Sequence, residues 1–238
     1  MTADLILYEL AAEDPELRFS PHCWKTRMAL AHKGLEATRI AWRLTDKDII
    51  AFSGQGEVPV LVDRGEVITD SWKIACHIER TYPDRPSLFG GDDAVALAGF
   101  VNAWADAVLL PAISRIILVD IHGGLAPADK EYFRTSREKR LGQRLEDVVA
   151  DREGHLSIFR NALAPLRRIL KDAPYVSGEA PAYADYCVFG MFMWARSTSS
   201  IELVDAGDRV SEWRERLLDH FGGLARSSPR ATRIGEAP

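Results

Sequence analysis

All the segments of this sequence with the pattern of β-strands lie within the first 70 residues. Leu5 to Leu10 is a short apolar run typical of a buried strand, and apolar and polar residues alternate across residues 38–44, "TRIAWRL". In "VPVLVDRGEVIT", two strand-like runs flank Asp63-Arg64-Gly65, which predicts a β-hairpin. Helix starts at Ser20-Pro21 and Asp70-Ser71 give the order β-α-β, then β-β-α. This order predicts a small mixed sheet with helices packed on it.

The rest of the chain shows only helical patterns. A stretch rich in proline, glycine and aspartate, "YPDRPSLFGGDD", separates the two halves. We therefore predict an α/β domain over residues 1–85, a linker over 86–92 and an all-helical domain over 93–238. The helical patterns cover residues 94–119, 128–149, 158–170, 183–195 and 210–220.

Composition narrows the classes of partner. The net charge of −5 gives no electrostatic reason to expect a nucleic acid or an anionic membrane as partner. Three widely spaced cysteines follow no zinc-ligand spacing, so no metal site is expected, and they favour a reducing compartment. The N-terminus lacks the basic region of a signal peptide, and no segment has the roughly 20 apolar residues of a membrane span. We expect a cytoplasmic protein with a small-molecule or protein partner.

The segment "SPHCWKT", residues 20–26, offers two candidate reactive atoms, the Ser20 hydroxyl and the Cys23 thiol. Serine followed by proline is typical of a helix N-cap, which is the purely structural interpretation of Ser20. A hydroxyl at a helix N-terminus also lies where the helix dipole and free N–H groups stabilise an anion. Cys23 alone is more often a small buried residue on a helix than a nucleophile.

Two further signals frame the hairpin. Pro59 removes a hydrogen-bond donor from a strand, which is compatible either with an edge strand or with a cis bond that turns the backbone of Val58 toward a ligand. Asp70 or Ser71 either caps the helix that follows or binds the charged ends of an amino acid head group.

In this order, and followed by an all-helical half, these signals resemble the cytosolic glutathione transferase family. The resemblance implies an α/β plus all-α protein, with an N-terminal thioredoxin-like domain and a C-terminal helical-bundle domain. It further implies glutathione as co-substrate, a small hydrophobic electrophile bound by the helical half, a role in detoxification, and a homodimer.

The resemblance also implies roles for individual residues. Ser20 would be the catalytic residue that hydrogen-bonds the glutathione sulfur. The backbone of Val58, before cis Pro59, would pair with the cysteinyl part of glutathione. Asp70 and Ser71 would hold the γ-glutamyl end. The thiolate would then attack an electrophilic carbon and displace a leaving group.

Within the family, "FSPHCWKTRMALAHKG" and the "DSW" and "YPDRP" segments look most like the bacterial lignin β-etherases and the related Fu-like fungal transferases. This similarity implies cleavage of β-aryl ethers. The chain departs from the family pattern in two places. Ala182 stands where the family usually has a serine or threonine cap three residues before Asp185, and the connection over residues 11–19 is long.

Two other functions compete with this hypothesis. A thiol oxidoreductase would use Cys23, at the second position of a C-x-x-C pair whose first position here is Ser20; Cys23→Ser would then abolish activity and Ser20→Ala would not. A catalytically silent glutathione-binding module would bind glutathione without turnover. Candidate pocket residues are His22, Trp24 and the aromatic residues of the helical half, of which Trp104, Phe192 and Trp194 are expected mainly in the core.

Overall fold

A computed structural model describes residues 5–231 of the chain. The strands of this range are β1 (Leu5–Leu10), β2 (Thr38–Trp42), β3 (Val60–Asp63) and β4 (Glu66–Thr69). The helices are α1 (Pro21–His32), α2 (Ser71–Thr81), α3 (Asp92–Trp104), α4 (Leu110–Gly124), α5 (Pro127–Leu141), α6 (Leu145–Val148), α7 (Arg152–Ala162), α8 (Ala164–Ile169), α9 (Tyr183–Thr198) and α10 (Arg209–Gly223).

The four strands form one mixed sheet in the order β2-β1-β3-β4. β1 runs parallel to β2 and antiparallel to β3, and β3 pairs with β4 as an antiparallel hairpin. The hairpin loop is Arg64-Gly65, and both residues have positive φ, 52° and 88°. Two-residue loops of this kind match the twist of the flanking strands. The predicted strands, the hairpin and the mixed sheet are confirmed.

The α/β part ends with α2 at Thr81, and the next helix begins at Asp92. Within the described residues, all strands precede residue 70 and everything after residue 91 that is regular is helical. The predicted fold class is therefore confirmed. The boundaries of the two domains and of the linker over 86–92 stay a prediction.

The predicted helix over 94–119 is interrupted. α3 continues through a π-helical turn, Ala105–Leu109, into α4. The predicted helix over 128–149 is divided by Gly142, which ends α5 with φ 68°. α10 also breaks near its end, where Phe221 and Gly222 have left-handed backbone conformations. No helix within residues 5–231 is both long enough and apolar enough to cross a membrane.

α9 begins without a side-chain cap from Ala182, as the sequence predicts. The fully buried carboxylate of Asp185 instead accepts a hydrogen bond from the backbone N–H of Ala182, at 3.2 Å. The same carboxylate accepts from the N–H groups of Val176 and Ser177 and from Nε1 of Trp213. One carboxylate thus joins the start of α9 to the preceding loop and to α10. The start of this helix is therefore well hydrogen-bonded although it lacks a capping hydroxyl.

α1 is buried on nearly all sides. It packs against α2 and, over a longer contact, against α9 of the helical half. Trp24 and Met28 are completely buried, but so are the polar Lys25 and Thr26 on other faces of the helix. A helix that one sheet covers on one side would expose these polar positions. α1 therefore forms the contact between the two halves of the chain.

Gly190 of α9 allows this contact to be close. A Cβ atom at Gly190 would lie 2.5 Å from the backbone carbonyl oxygen of Pro21 and 3.2 Å from Cγ of Lys25. Carbon and oxygen atoms do not approach to 2.5 Å without bonding, and a backbone carbonyl in the first turn of a helix cannot rotate away. Only glycine at position 190 permits the observed separation of the two helices.

We expect Gly190→Ala to lower the free energy of unfolding by about 1–3 kcal/mol, because the methyl group forces α1 and α9 apart. Urea denaturation followed by circular dichroism measures this change. Gly123→Ala is the matched control, since its Cβ would meet no atom within 4 Å. Alanine is the better helix former, so this control should be neutral or slightly stabilising. Equal stability of the two variants would show that the close approach does not matter.

Candidate functional site

Ser20 is the N-cap of α1. Its hydroxyl oxygen accepts a hydrogen bond from the backbone N–H of Cys23 at 3.4 Å, and Pro21 occupies the first helical position. The residue is only 5% exposed, but it faces a cavity. The free N–H groups and the dipole at this helix start favour negative charge. The local sequence therefore places a hydroxyl where an anion would be stabilised.

Cys23 is in a different environment. Its side chain is completely buried, and this burial raises the pKa of the thiol to about 12, with the negative charge of Glu9 adding to the effect. A thiol with such a pKa is protonated at neutral pH. Its complete burial also keeps it out of reach of a ligand. This geometry argues against Cys23 as a nucleophile.

Ser20 and Val58 line the same cavity, whose volume is about 270 Å³. Val58 precedes Pro59, and the bond between them is cis. Val58 and Pro59 come immediately before β3, so the sheet fixes the position of Val58 relative to the start of α1. The remaining lining residues come from both halves of the chain: Leu10, Phe19, Pro21, His22, Trp42, Leu44, Lys47, Gly56, Glu57, Leu110, Ser114, Leu118, Ile121, Tyr132, Phe133, Arg137, Arg140 and Trp194.

Asp70 and Ser71 lie at the start of α2 and do not line this cavity. The Asp70 side chain caps the helix, accepting from the N–H groups of Trp72 and Lys73 at 3.0 Å each. Its φ of 73° is unusual for a residue other than glycine and costs about 1–3 kcal/mol. Strained, exposed residues of this kind often belong to ligand sites, and the Asp70 charge acts on His22, which does line the cavity.

Ser71 is almost completely buried. Its backbone carbonyl accepts a hydrogen bond from the hydroxyl of Tyr183, the first residue of α9, at 2.9 Å. The start of α2 is thereby attached to the helical half. Pro59 is also buried and is absent from the cavity lining. The structure thus brings Ser20 and Val58 together and places Pro59, Asp70 and Ser71 outside the cavity.

A charge network that the sequence did not predict joins α1 to the π-helical turn. The completely buried ammonium group of Lys25 is 2.6 Å from a carboxylate oxygen of Asp106 and 2.8 Å from the amide oxygen of Asn102. Nδ1 of His22 is 3.8 Å from the same carboxylate. Asp106 lies in the π-helical turn, a distortion often found at functional sites. No sequence spacing links residues 25 and 106.

Partial burial, together with the nearby Lys25 ammonium, lowers the pKa of His22. His22 is therefore mainly neutral at pH 7 and adds a polar but uncharged group to the cavity lining.

The aromatic candidates divide between core and cavity. Trp24 is completely buried, and its indole N–H donates to the carbonyl of Arg18, so it does not line the cavity. Phe192 is in the core, as predicted. Trp194, which the sequence analysis also expected in the core, is instead half-buried and lines the cavity. Phe192 and Trp194 lie two positions apart on α9, and they differ in whether the side chain faces the core or the cavity. The helical pattern of the sequence does not distinguish these two environments.

Cationic side chains also line the cavity. Nζ of Lys47 donates to the carbonyl of Gly56 at 3.1 Å and lies over the ring of Trp42, at 4.8 Å from its centre. Arg137 and Arg140 of α5 line the opposite, helical side. The arrangement can hold a ligand that carries an anionic group near Ser20 and further anionic groups near these cations, with apolar contacts between them.

Comparison with known proteins places these features in a family. Residues 19–81 match the family described as "Glutathione S-transferase, N-terminal domain", and residues 96–221 match "Glutathione S-transferase, C-terminal domain". A glutathione S-transferase-like protein, ustS, of Aspergillus flavus is 27% identical over 140 residues, or 53% of this chain. This match spans only about half, 49%, of that curated relative.

Solved structures show the same fold over almost the whole chain. A glutathione S-transferase of Ceriporiopsis subvermispora, in complex with glutathione, has a TM-score of 0.84 and 24% identity, and the match covers 96% of this chain and 100% of that one. Glutathione transferase GSTFuA3 of Phanerochaete chrysosporium has a TM-score of 0.76 and 27% identity, with 95% of each chain covered.

We expect Asp106→Asn to lower the free energy of unfolding by about 2–4 kcal/mol, because it leaves the buried Lys25 ammonium without its charged partner. Chemical denaturation at neutral pH measures the loss. Asp172→Asn, at an exposed position in the helical half, is the control for removing one carboxylate. If the two variants unfold at the same denaturant concentration, the Lys25–Asp106 pair does not stabilise the contact between α1 and the helical half.

Proposed function

This chain belongs to the glutathione S-transferase family, and on that premise we propose that it is a glutathione transferase that uses Ser20. The observation that carries the proposal is the position of the Ser20 hydroxyl. It lies at the start of α1 and lines, together with Val58, a cavity that both halves of the chain enclose. Glutathione is the co-substrate, and its sulfur lies next to the Ser20 hydroxyl.

Groups of the α/β half bind the other parts of glutathione. The backbone of Val58, fixed by cis Pro59, pairs with the cysteinyl unit as an added strand would. The Asp70 carboxylate and the start of α2 at Ser71 bind the two charges of the γ-glutamyl end. The Lys47 ammonium, which contacts the Gly56 carbonyl and lines the cavity together with Val58, is suited to bind the glycyl carboxylate.

The reaction begins with loss of the thiol proton to solvent. Hydrogen bonding from the Ser20 hydroxyl and the dipole of α1 lower the thiol pKa from about 8.5 toward neutrality. The thiolate forms a carbon–sulfur bond to the electrophile, and the leaving group departs with the bonding electron pair. Because both reactants occupy one cavity, proximity contributes further to the rate.

The substrate class that we propose is a small electrophile that carries an aromatic ring, with β-aryl ether cleavage as the finer assignment. In that form the thiolate displaces an aryl oxide. Apolar side chains of the helical half, including Leu110, Phe133 and Trp194, give the cavity surfaces suited to aromatic rings. The β-etherase assignment rests on the sequence resemblance, and glutathione-dependent release of an aryl oxide from a β-aryl ether tests it.

Both competing functions have distinct signatures. The oxidoreductase hypothesis requires a reactive Cys23, and the burial of that thiol disfavours it. A silent binding module would bind glutathione with no lowering of the thiol pKa and no turnover.

We propose a homodimer that forms through α3. Leu97 and Phe100 are 70% and 74% exposed, and a spacing of three residues places them on one face of the helix. Apolar side chains of this size are rarely left so exposed next to one another in a monomer. A cytoplasmic location is part of the same proposal, supported by three free cysteines in the described residues.

The ultraviolet absorbance of the glutathione thiolate, titrated against pH in the presence of the protein, tests the role of Ser20. We expect the bound thiol to have a pKa about two units below that of free glutathione, and Ser20→Ala to remove most of this shift. Cys23→Ala is the matched variant and should keep the shift. A shift that survives Ser20→Ala and disappears in Cys23→Ala would reverse the assignment.

We expect wild-type protein to have the mass of a dimer in analytical ultracentrifugation, and the double variant Leu97→Glu/Phe100→Glu to sediment as a monomer. Two carboxylates would be desolvated at the interface without partners, which opposes association. Ile158→Glu, at another exposed apolar residue, is the control and should remain dimeric. A wild-type monomer would refute the proposal directly.

A further inference from the structure

Among residues 5–231, Arg137 and Arg140 line the helical side of the cavity and have no carboxylate partner, and we propose that they bind a carboxylate on the electrophile. The inference deepens the proposed transferase function and rests on it. It narrows the second substrate from any apolar electrophile to an aromatic acid.

These two arginines differ from other arginines of the helical half in their partners. Arg134, one turn away on α5, donates to the carboxylates of Glu138 and Glu146 at 2.8 Å each. Within residues 5–231, neither Arg137 nor Arg140 has a carboxylate at ion-pair distance. The other arginines of this half that do form ion pairs with carboxylates include Arg144, Arg152, Arg160, Arg167, Arg214 and Arg226.

The contacts of Arg137 leave most of its donors for a ligand. One guanidinium nitrogen donates to the hydroxyl of Ser136 at 3.1 Å, and the guanidinium carbon lies 4.9 Å from the centre of the Phe133 ring. Neither contact neutralises the charge. A half-buried guanidinium with a neutral hydrogen-bond partner and an aromatic neighbour is suited to receive a carboxylate in a bidentate pair.

The electrostatic environment points the same way. Partial burial and the neighbouring charge of Arg140 lower the pKa of Arg137, while Tyr132 and Glu57 act in the opposite direction. The guanidinium remains charged at neutral pH. Two cations that repel each other on one surface are both stabilised when an anion binds between them.

The cavity as a whole carries more positive than negative charge. Lys47, Arg137 and Arg140 line it, against the single carboxylate of Glu57. Lys47 contacts Gly56 on the side of the α/β half, where the proposed co-substrate lies. The two arginines are on α5, beside Phe133 of the same helix, so they are left for the second substrate. An aromatic ring with a carboxylate matches both the apolar and the charged parts of this surface.

A chloronitrobenzoate and the corresponding chloronitrobenzamide form a matched pair of electrophiles. In both, the glutathione thiol loses its proton to solvent, sulfur bonds to the ring carbon, and chloride leaves with the electron pair of the carbon–chlorine bond. The two substrates have nearly the same size and differ in the charge of one group. The ratio of their kcat/KM values therefore measures recognition of the carboxylate.

We expect the double variant Arg137→Gln/Arg140→Gln to lower the benzoate-to-benzamide ratio of kcat/KM by about tenfold or more. Lys139→Gln removes one charge from the same helix at an exposed position that does not line the cavity, and its ratio should stay at the wild-type value. A ratio that is equal in the wild type and the double variant would overturn the inference. A rise in the KM for glutathione with an unchanged ratio would assign the arginines to the co-substrate instead.

A binding measurement separates this inference from the proposed function. Nitrobenzoate has no leaving group, and quenching of the fluorescence of Trp42 and Trp194, which line the cavity, reports its binding. We expect wild-type protein to bind nitrobenzoate about tenfold more tightly than nitrobenzamide, and the double variant to lose this preference. Absence of turnover with this preference intact would refute the transferase function alone. Absence of any preference would refute the arginine site whatever the activity.

Discussion

The contact between α1 and α9 is the constraint on which the rest of the structure depends. α1 carries Ser20 at its start, and α9 forms part of the core of the helical half. Their separation is set by Gly190, because any larger residue would meet the backbone of Pro21. The same contact buries Lys25 completely and directs its ammonium group to Asp106 and Asn102. Site and core are therefore not independent, since the helix start that forms the site is also part of the contact between the two halves.

This arrangement explains why two neighbouring polar residues have such different properties. Ser20 is at the cap, before the first helical turn, where its hydroxyl still reaches the cavity. Cys23, three residues later, has turned into the buried face of α1, where desolvation keeps its thiol protonated. The geometry leaves a hydroxyl, and not a thiol, at the position where the helix dipole acts. In the proposed function the reactive sulfur therefore comes from glutathione and not from Cys23.

The cavity combines groups from the α/β half with groups from the helical half, and their chemistry differs. The α/β half supplies hydrogen-bonding backbone and a helix start, which suit a peptide-like ligand. The helical half supplies apolar and aromatic surfaces with Arg137 and Arg140 at their edge. Arg134 on the same helix pairs with two glutamates, whereas the two cavity arginines face a surface that a ligand can occupy. On α5, therefore, Arg134 stabilises the fold through its ion pairs, and Arg137 and Arg140 face the cavity.

The sequence by itself determined the strands and most of the helices, because strand and helix signals are local. It did not indicate the π-helical turn after α3 or the break at Gly142. Alternation, the Arg64-Gly65 turn, the Ser20-Pro21 start and the long helical patterns are read from neighbouring residues, and they led to a mixed sheet followed by helices. It also supplied candidates for the site, of which Ser20 and Val58 line one cavity.

Only the tertiary structure decided what depends on residues distant in the chain. It paired Lys25 with Asp106. It placed Trp194 at the cavity and Phe192 in the core. On α5 it left Arg137 facing the cavity and paired Arg134 with glutamates. Burial and charge pairing are set by which surfaces meet, and residues far apart in the sequence carry no local signal of that meeting.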